Sequence, residues 1–125
     1  MGYSFDGNTP IYLQLVQIFR QNIVTGVWPP GGRVDSVREL AIQYGVNPNT
    51  VQRSLMELER DTLLYAERTS GRFITSDAQL IRKTRDQLAD DQIRQFLLQM
   101  KNLGYDKSQL TKLVTEKWSE QNGLD

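Results

Sequence analysis

Apolar residues first recur at helical spacing near the start of the chain, where Tyr12, Leu15, Val16, Phe19 and Ile23 fall on one helix face. Thr9-Pro10 predicts where this helix begins, because Thr caps and Pro suits the first helical position. Gly26 predicts its end, and Trp28-Pro29-Pro30-Gly31-Gly32 predicts a loop. A second helical pattern, Val37, Leu40, Ala41 and Tyr44, opens at Ser36 with Glu39 at the spacing of a capping box and stops at Gly45. A third opens at Asn47-Pro48 and runs to Asp61, with Val51, Leu55 and Leu58 on its buried face. Two helices joined through Gly45-Val46-Asn47 have the spacing of a helix-turn-helix.

The period then changes. Leu64 to Glu67 and Arg72 to Thr75 read as short strands around a Thr69-Ser70-Gly71 turn, in which Gly71 can take a positive φ. A hairpin placed after a helix-turn-helix is a wing. From Asp77 the chain reads as a long polar helix with a discontinuous apolar stripe: Ile81, Thr84, Leu88, Ile93, Phe96, Leu97, Met100 and Leu103, closed by Gly104. Asp106 with Gln109 resembles a second capping box, opening a last amphipathic helix through Leu110, Leu113, Val114 and Trp118. The predicted fold is mainly α with a small β-hairpin: a winged helix-turn-helix over residues 1–76, then a two-helix dimerisation tail over residues 77–125. The tail is expected to dimerise because Leu88, Ile93, Phe96, Leu97, Met100 and Leu103 would leave an apolar patch in water. Leu110, Leu113, Val114 and Trp118 can cover part of it, and a second tail would complete a four-helix arrangement.

Composition narrows the chemistry. At 125 residues the chain is one domain, or one domain with an appendage. It contains no Cys and no His, which excludes disulfides and thiol chemistry and removes the usual zinc ligands and the commonest general base. No metal or organic cofactor is expected, and Asp90-Asp91 reads as solvated helix surface rather than a catalytic pair. No apolar run approaches ~20 residues, and Met1 to Pro10 lacks a hydrophobic core segment, so a cytoplasmic protein without a membrane span is expected. The net charge is zero, which weighs against a nucleic-acid partner. The distribution weighs the other way, for residues 1–76 hold seven Arg and no Lys, while five Lys lie beyond. Arg is the better residue for bidentate contact with phosphate or guanine.

The outward face of the third helix offers Asn49, Gln52 and Arg53. Asn and Gln can pair with adenine and Arg with guanine in a major groove. The same residues would also suit a solvated polar face. The helix before, the tight turn and the wing after favour DNA.

Gly31 to Thr75 resembles the DNA-binding domain of the GntR family of bacterial regulators. The segments Ser36-Val37-Arg38-Glu39-Leu40-Ala41 and Gly45-Val46-Asn47-Pro48-Asn49-Thr50-Val51-Gln52-Arg53 are especially similar to its YtrA subfamily, as is the short two-helix tail. Leu58-Glu59-Arg60-Asp61 and Gly71-Arg72-Phe73-Ile74 continue the match. The resemblance implies a dimeric, non-catalytic regulator that binds double-stranded operator DNA, most often as a repressor and typically of a neighbouring transporter operon. It implies DNA contacts at Arg38, at Asn47, Asn49, Thr50 and Gln52, and around Gly71, including Ser70. Arg53, farther along the helix, is placed to reach a phosphate or solvent alone, and Arg68 and Arg72 on the wing are candidate phosphate or minor-groove ligands. Three positions depart from the family pattern: Asp35 replaces a Pro before the capping Ser, Thr62 replaces a Gly at the end of the recognition helix, and the Thr69-Ser70-Gly71 turn keeps one glycine with no charge between.

Two other readings stay open on the residues. An effector of drug-like chemistry could bind beside Trp28 or Trp118, making the chain a one-component sensor. A winged helix can also serve protein contact alone, against which Arg38 and the Asn/Gln face argue. Family members with a fused aminotransferase-like domain are far longer than this chain, so an enzyme is not expected.

Overall fold

The computed structural model describes residues 4–122. The described elements are α1 (Ile11–Val24), α2 (Val37–Tyr44), α3 (Pro48–Arg60), β1 (Leu64–Glu67), β2 (Gly71–Ile74), α4 (Ala78–Asn102) and α5 (Lys107–Asn122). The strands form an antiparallel hairpin with Leu64 opposite Ile74 and Tyr65 opposite Phe73. Helix-turn-helix and wing are both present, and the fold is a winged helix followed by two further helices. The chain divides into a unit ending at Asp86 and a unit beginning at Gln87, so the division falls inside α4.

The first unit holds the core. Leu15, Phe19 and Ile23 of α1 meet Leu40 and Tyr44 of α2, Val51, Leu55 and Leu58 of α3, and Leu64 and Ile74 of the hairpin. Phe19 lies at its centre, stacked on Trp28 with centroids 4.8 Å apart and meeting Tyr44 edge-on at 5.5 Å. Leu80 and Ile81 of α4 also pack against this core.

Helix ends follow the local chemistry with one exception. Thr9 does not cap α1; Pro10 occupies the cap position without a side-chain bond. The entry is tied instead by Asp6, whose carboxylate accepts the amides of Asn8 and Thr9, and by Gln14, whose amide nitrogen donates to the carbonyls of Asp6 and Thr9. Pro10 has φ −52° and an extended ψ of 138°. The helical turn therefore starts at Ile11. Strand β2 begins one residue earlier than its side-chain pattern predicts, because Gly71 pairs with Glu67 at the turn.

Helices α2 and α3 end in the same motif. After α2, Gly45 has φ 67° and Val46 N donates back to Ala41 O. After α3, Thr62 has φ 61° and Leu63 N donates to Leu58 O, with Thr62 N donating to Glu59 O. Thr62 is the only non-glycine residue with positive φ among the described residues. A Cβ in this conformation costs about 1–2 kcal/mol, and Leu63, buried against the core, holds it there.

In the second unit, Asp106 and Gln109 form a reciprocal box at the start of α5, Asp106 N donating to Gln109 Oε1 at 3.0 Å and Gln109 N to Asp106 Oδ1 at 2.8 Å. No residue of α4 or α5 is fully buried.

Thr62→Gly relieves the backbone strain at the end of α3 and gives some of it back through the larger entropy of a glycine in the unfolded chain. Urea denaturation should show a net gain of about 0.5–1 kcal/mol; a loss of stability would mean that the Thr62 side chain contributes more than its backbone costs.

Candidate nucleic-acid interface

The orientation of α3 decides which residues are available. Val51, Leu55 and Leu58 are buried, and so is Ser54. The Ser54 hydroxyl lies 2.9 Å from both the Tyr12 carbonyl of α1 and the Thr50 carbonyl one turn back. The next residue toward the N-terminus, Arg53, places its guanidinium 3.6 Å from the centroid of the Tyr12 ring. Tyr12 thus receives α3 twice, at its carbonyl and on its ring face. Neither the buried serine nor this role of Tyr12 was legible from apolar spacing.

With α3 held this way, Asn49 is exposed and Gln52 half-buried at its flank. Thr50 is half-buried, and its carbonyl is the second acceptor for Ser54. Asn47 is exposed, but its side-chain oxygen accepts the Asn49 amide at 2.7 Å. Its carbonyl oxygen therefore serves the helix cap, which leaves only its amide nitrogen for a ligand.

Arg38 stands exposed in the first turn of α2, with no ion pair to any described residue. Its neighbour Glu39 is engaged elsewhere. Glu39 Oε1 accepts Ser36 N at 3.0 Å, and Glu39 N donates to Ser36 Oγ at 3.1 Å. The Ser36 amide, then the Ser36 side chain hold the Glu39 carboxyl below its ordinary value against a smaller desolvation cost, and the charge of Arg33 adds the weakest pull in the same direction. The box leaves Arg38 free while fixing the turn it stands on.

The wing separates its arginines. Arg68 and Ser70 are exposed in the turn, and Gly71 opens β2 with φ 106°. Arg72 points the other way: its Nε lies 3.0 Å from Glu59 Oε1 of α3. An arginine so held is a bracket between wing and α3, and its guanidinium is not free as that of Arg68 is. Asp35, the acid ahead of the Ser36 cap, is exposed.

Charge is sorted as sharply as the side chains. Three of the seven arginines in residues 1–76 are paired, Arg20 with Asp61, Arg60 with Glu57 and Arg72 with Glu59. All three acids lie on the C-terminal half of α3 or its cap. Arg33, Arg38, Arg53 and Arg68 have no ion pair among the described residues. A neutral sequence thus leaves unpaired arginines on α2, on the N-terminal half of α3 and around the wing.

The same arrangement has relatives. The model of the family described as bacterial regulatory proteins, gntR family, matches residues 11–74. Over 110 residues the chain is 37% identical to an uncharacterized HTH-type transcriptional regulator, YhcF, of Bacillus subtilis (strain 168), covering 88% of this chain and 91% of that protein. It is 30% identical over 110 residues to the HTH-type transcriptional repressor YtrA of the same organism, covering 87% and 85% of the two. Among solved structures, a GntR family transcriptional regulator from Listeria monocytogenes superposes with a TM-score of 0.83 at 36% identity, over 90% of this chain and 98% of that one. The DNA-binding domain of AraR, solved in complex with operator ORX1, matches 58% of this chain and 93% of its own with a TM-score of 0.54 at 26% identity.

Ser36→Ala removes one half of the α2 capping box and should cost about 1 kcal/mol of stability in thermal or urea unfolding. Because the folded Glu39 carboxyl titrates below its unfolded value, its share of the box is complete above the ordinary carboxylate range and is lost as pH falls through the lowered value. Wild type should therefore lose stability on acidification more than a Glu39→Gln variant does, and parallel acid profiles would remove Glu39 from the account.

Proposed function

This chain belongs to the gntR family of bacterial regulatory proteins and is a DNA-binding transcriptional regulator; on that premise we propose that it represses transcription by binding a two-fold-related operator as a homodimer. One observation carries the DNA contact. Arg38 on α2 and Asn49 with Gln52 on α3 stand outward from two helices whose opposite faces make the core, and Arg38 has no acid partner among the described residues. Residues that build a fold face inward or pair with one another; these do neither. An arginine and two amides on a helix-turn-helix suit the edges of guanine and adenine in a major groove.

Thr50, Asn47 and the exposed Arg68, Ser70 and Gly71 are assigned to the same duplex. Arg53 is assigned to a phosphate, since stacking on Tyr12 fixes its direction. Arg72 is assigned to the same surface only through its bracket to Glu59. The AraR complex with operator DNA supports double-stranded DNA as partner, and the name of the YtrA relative supports repression. A neighbouring transporter operon is the proposed target.

The homodimer rests on the tail. Leu103 is 71% exposed and Trp118 57%, and Ile93, Phe96, Leu97 and Val114 are exposed with them. Leu88, Met100, Leu110 and Leu113 are half-buried. Neither helix buries a residue within one chain. A surface this apolar calls for cover, and a second copy of the same tail supplies it with two-fold symmetry. No described helix is long and apolar enough to cross a membrane, and the chain is proposed to act in the cytoplasm.

Selection from random DNA by the full-length protein should recover two related half-sites; recovery of single, unrepeated sites would rule out the dimeric reader. Against the selected operator, Arg38→Ala and Asn49→Ala should each lose about 1–3 kcal/mol of binding with unchanged melting. Retained affinity in both would mean that DNA meets another face. Cutting the chain after Asp86, where the first unit ends, should give a folded monomer that binds half-sites weakly, because linkage of two heads multiplies affinity. A dimer of that fragment in sedimentation would move the interface out of the tail.

A further inference from the structure

The segment 31–34 is joined to the wing. Gly31 N donates to Ile74 O at 2.9 Å, Ile74 N to Gly32 O at 2.8 Å and Val34 N to Arg72 O at 2.9 Å. Arg33 is bridged antiparallel to Phe73. Residues opposite each other on antiparallel chains share a face, so Arg33 lies on the side of Phe73 and of Tyr65, whose ring stacks on Phe73 at 5.8 Å. Val34, the next residue, turns to the other side and is buried.

Gly71 is two residues before Phe73 and so shares its face, but brings no side chain. Arg33 occupies the place. A Cβ built on Gly71 would stand 3.3 Å from Arg33 Nε and 3.5 Å from Nη2. Gly71 is therefore required by its φ of 106°, and it also lets the Arg33 guanidinium lie close over it, where a Cβ would press the guanidinium aside by a few tenths of an ångström. Arg33 is exposed and has no ion pair among the described residues. The acid that feels its charge, Glu39, is bonded to Ser36 instead.

Resting on the DNA-binding reading above, we propose that Arg33 is a further phosphate ligand at the wing, besides Arg68, its guanidinium seated on Gly71 and directed at a phosphodiester of the bound duplex. Among the described residues Arg68 is the one unpaired cation of the turn, and Arg72 is held by Glu59. Arg33 reaches over from the neighbouring segment to add a second cation beside Gly71. A fork of N–H donors matches phosphate oxygens two at a time. A seat that limits the rotamers of a long side chain lowers the entropy lost on binding. Arg33 is fixed by backbone pairing to the edge of the hairpin rather than to a helix that enters a groove, which favours the phosphate over a base.

Full-length wild type, Arg33→Gln, Arg33→Lys and Arg38→Ala are titrated with two duplexes over a series of salt concentrations, one recovered by selection from random DNA and one of mixed sequence. Melting curves accompany each variant. Arg33→Gln should weaken both duplexes by a similar factor, on the order of 5–20-fold, and reduce the log–log salt slope by about one. Arg33→Lys should restore the slope and only part of the affinity, since the charge returns without the fork. An unchanged slope and affinity in Arg33→Gln, with Arg38→Ala still impaired, would overturn this inference and leave the DNA-binding reading intact. Weakening confined to the selected duplex would overturn it in favour of a base contact. Wild type that binds neither duplex at low salt would remove the DNA-binding reading and this inference together.

Discussion

The angle of α3 about its own axis is the constraint on which the reading surface depends. Apolar packing of Val51, Leu55 and Leu58 fixes which side of the helix is inward, but van der Waals contacts tolerate some roll. The Ser54 hydroxyl is directional. It is fully buried and lies 2.9 Å from both the Thr50 carbonyl, which α3 offers at any roll, and the Tyr12 carbonyl, which the observed roll brings within reach. Arg53 on the Tyr12 ring adds a second restraint at the adjacent residue. With the roll set, Asn49 stands outward, and Asn47 caps through its side-chain oxygen while its amide nitrogen stays available. A serine in the middle of a helix ordinarily bends it or competes with its backbone; here the cross-helix acceptor gives that hydroxyl a use.

The same helix explains how a chain of zero net charge can face a polyanion. Acids and bases occur in equal number, but Glu57, Glu59 and Asp61 are gathered toward one end of α3, each with an arginine from α3, the wing or α1. Those acids sit where the helix dipole is least favourable to them, and the paired arginines offset this. The other end of α3 offers its first-turn backbone amides and Arg53, which has no ion pair among the described residues, an arrangement that favours phosphate. The partition is a matter of placement, which a sum over the composition averages away. Exposed pairs such as Arg60 with Glu57 add little to stability. Their consequence here is which arginines remain unpaired.

Much of the fold was legible because its signals are local. The Ser36–Glu39 box, the Asn47-Pro48 start and the Asp106–Gln109 box each lie within four residues and fold as their chemistry requires. Thr62 could be recognised as a departure from the family pattern, and it does take the conformation a glycine would have taken. What escaped depends on pairs distant in sequence. Arg72 meets Glu59 only when hairpin and helix dock. Ser54 meets Tyr12 across 42 positions. Arg33 pairs with β2 through a single bridge, too short to show any alternation, and its Gly31-Gly32 approach reads as plain loop. The Thr9 cap failed for a local reason, since Asp6 and Gln14 already hold the Thr9 amide and carbonyl. The contacts proposed for Asn49, Gln52 and Arg68 come from residue type and exposure, which identify a candidate surface without its ligand.

The two units solve opposite problems. The first closes a fully buried core around a phenylalanine held between two other rings, although Val27, Ile42 and Met56 stand exposed on its surface. The second carries leucines, a phenylalanine and a tryptophan on helices that bury none of them within one chain. A rigid head makes its recognition residues precise at the cost of a small footprint, and a single helix-turn-helix reads only a few base pairs. Genomic competition from unrelated sites demands more discrimination than such a footprint provides. In the proposed homodimer the tail meets that demand without altering the head: pairing doubles the site read and converts the second encounter into an intramolecular one. On the dimeric reading, the apolar surface left on the tail is therefore the source of the operator specificity that the small head alone could not reach.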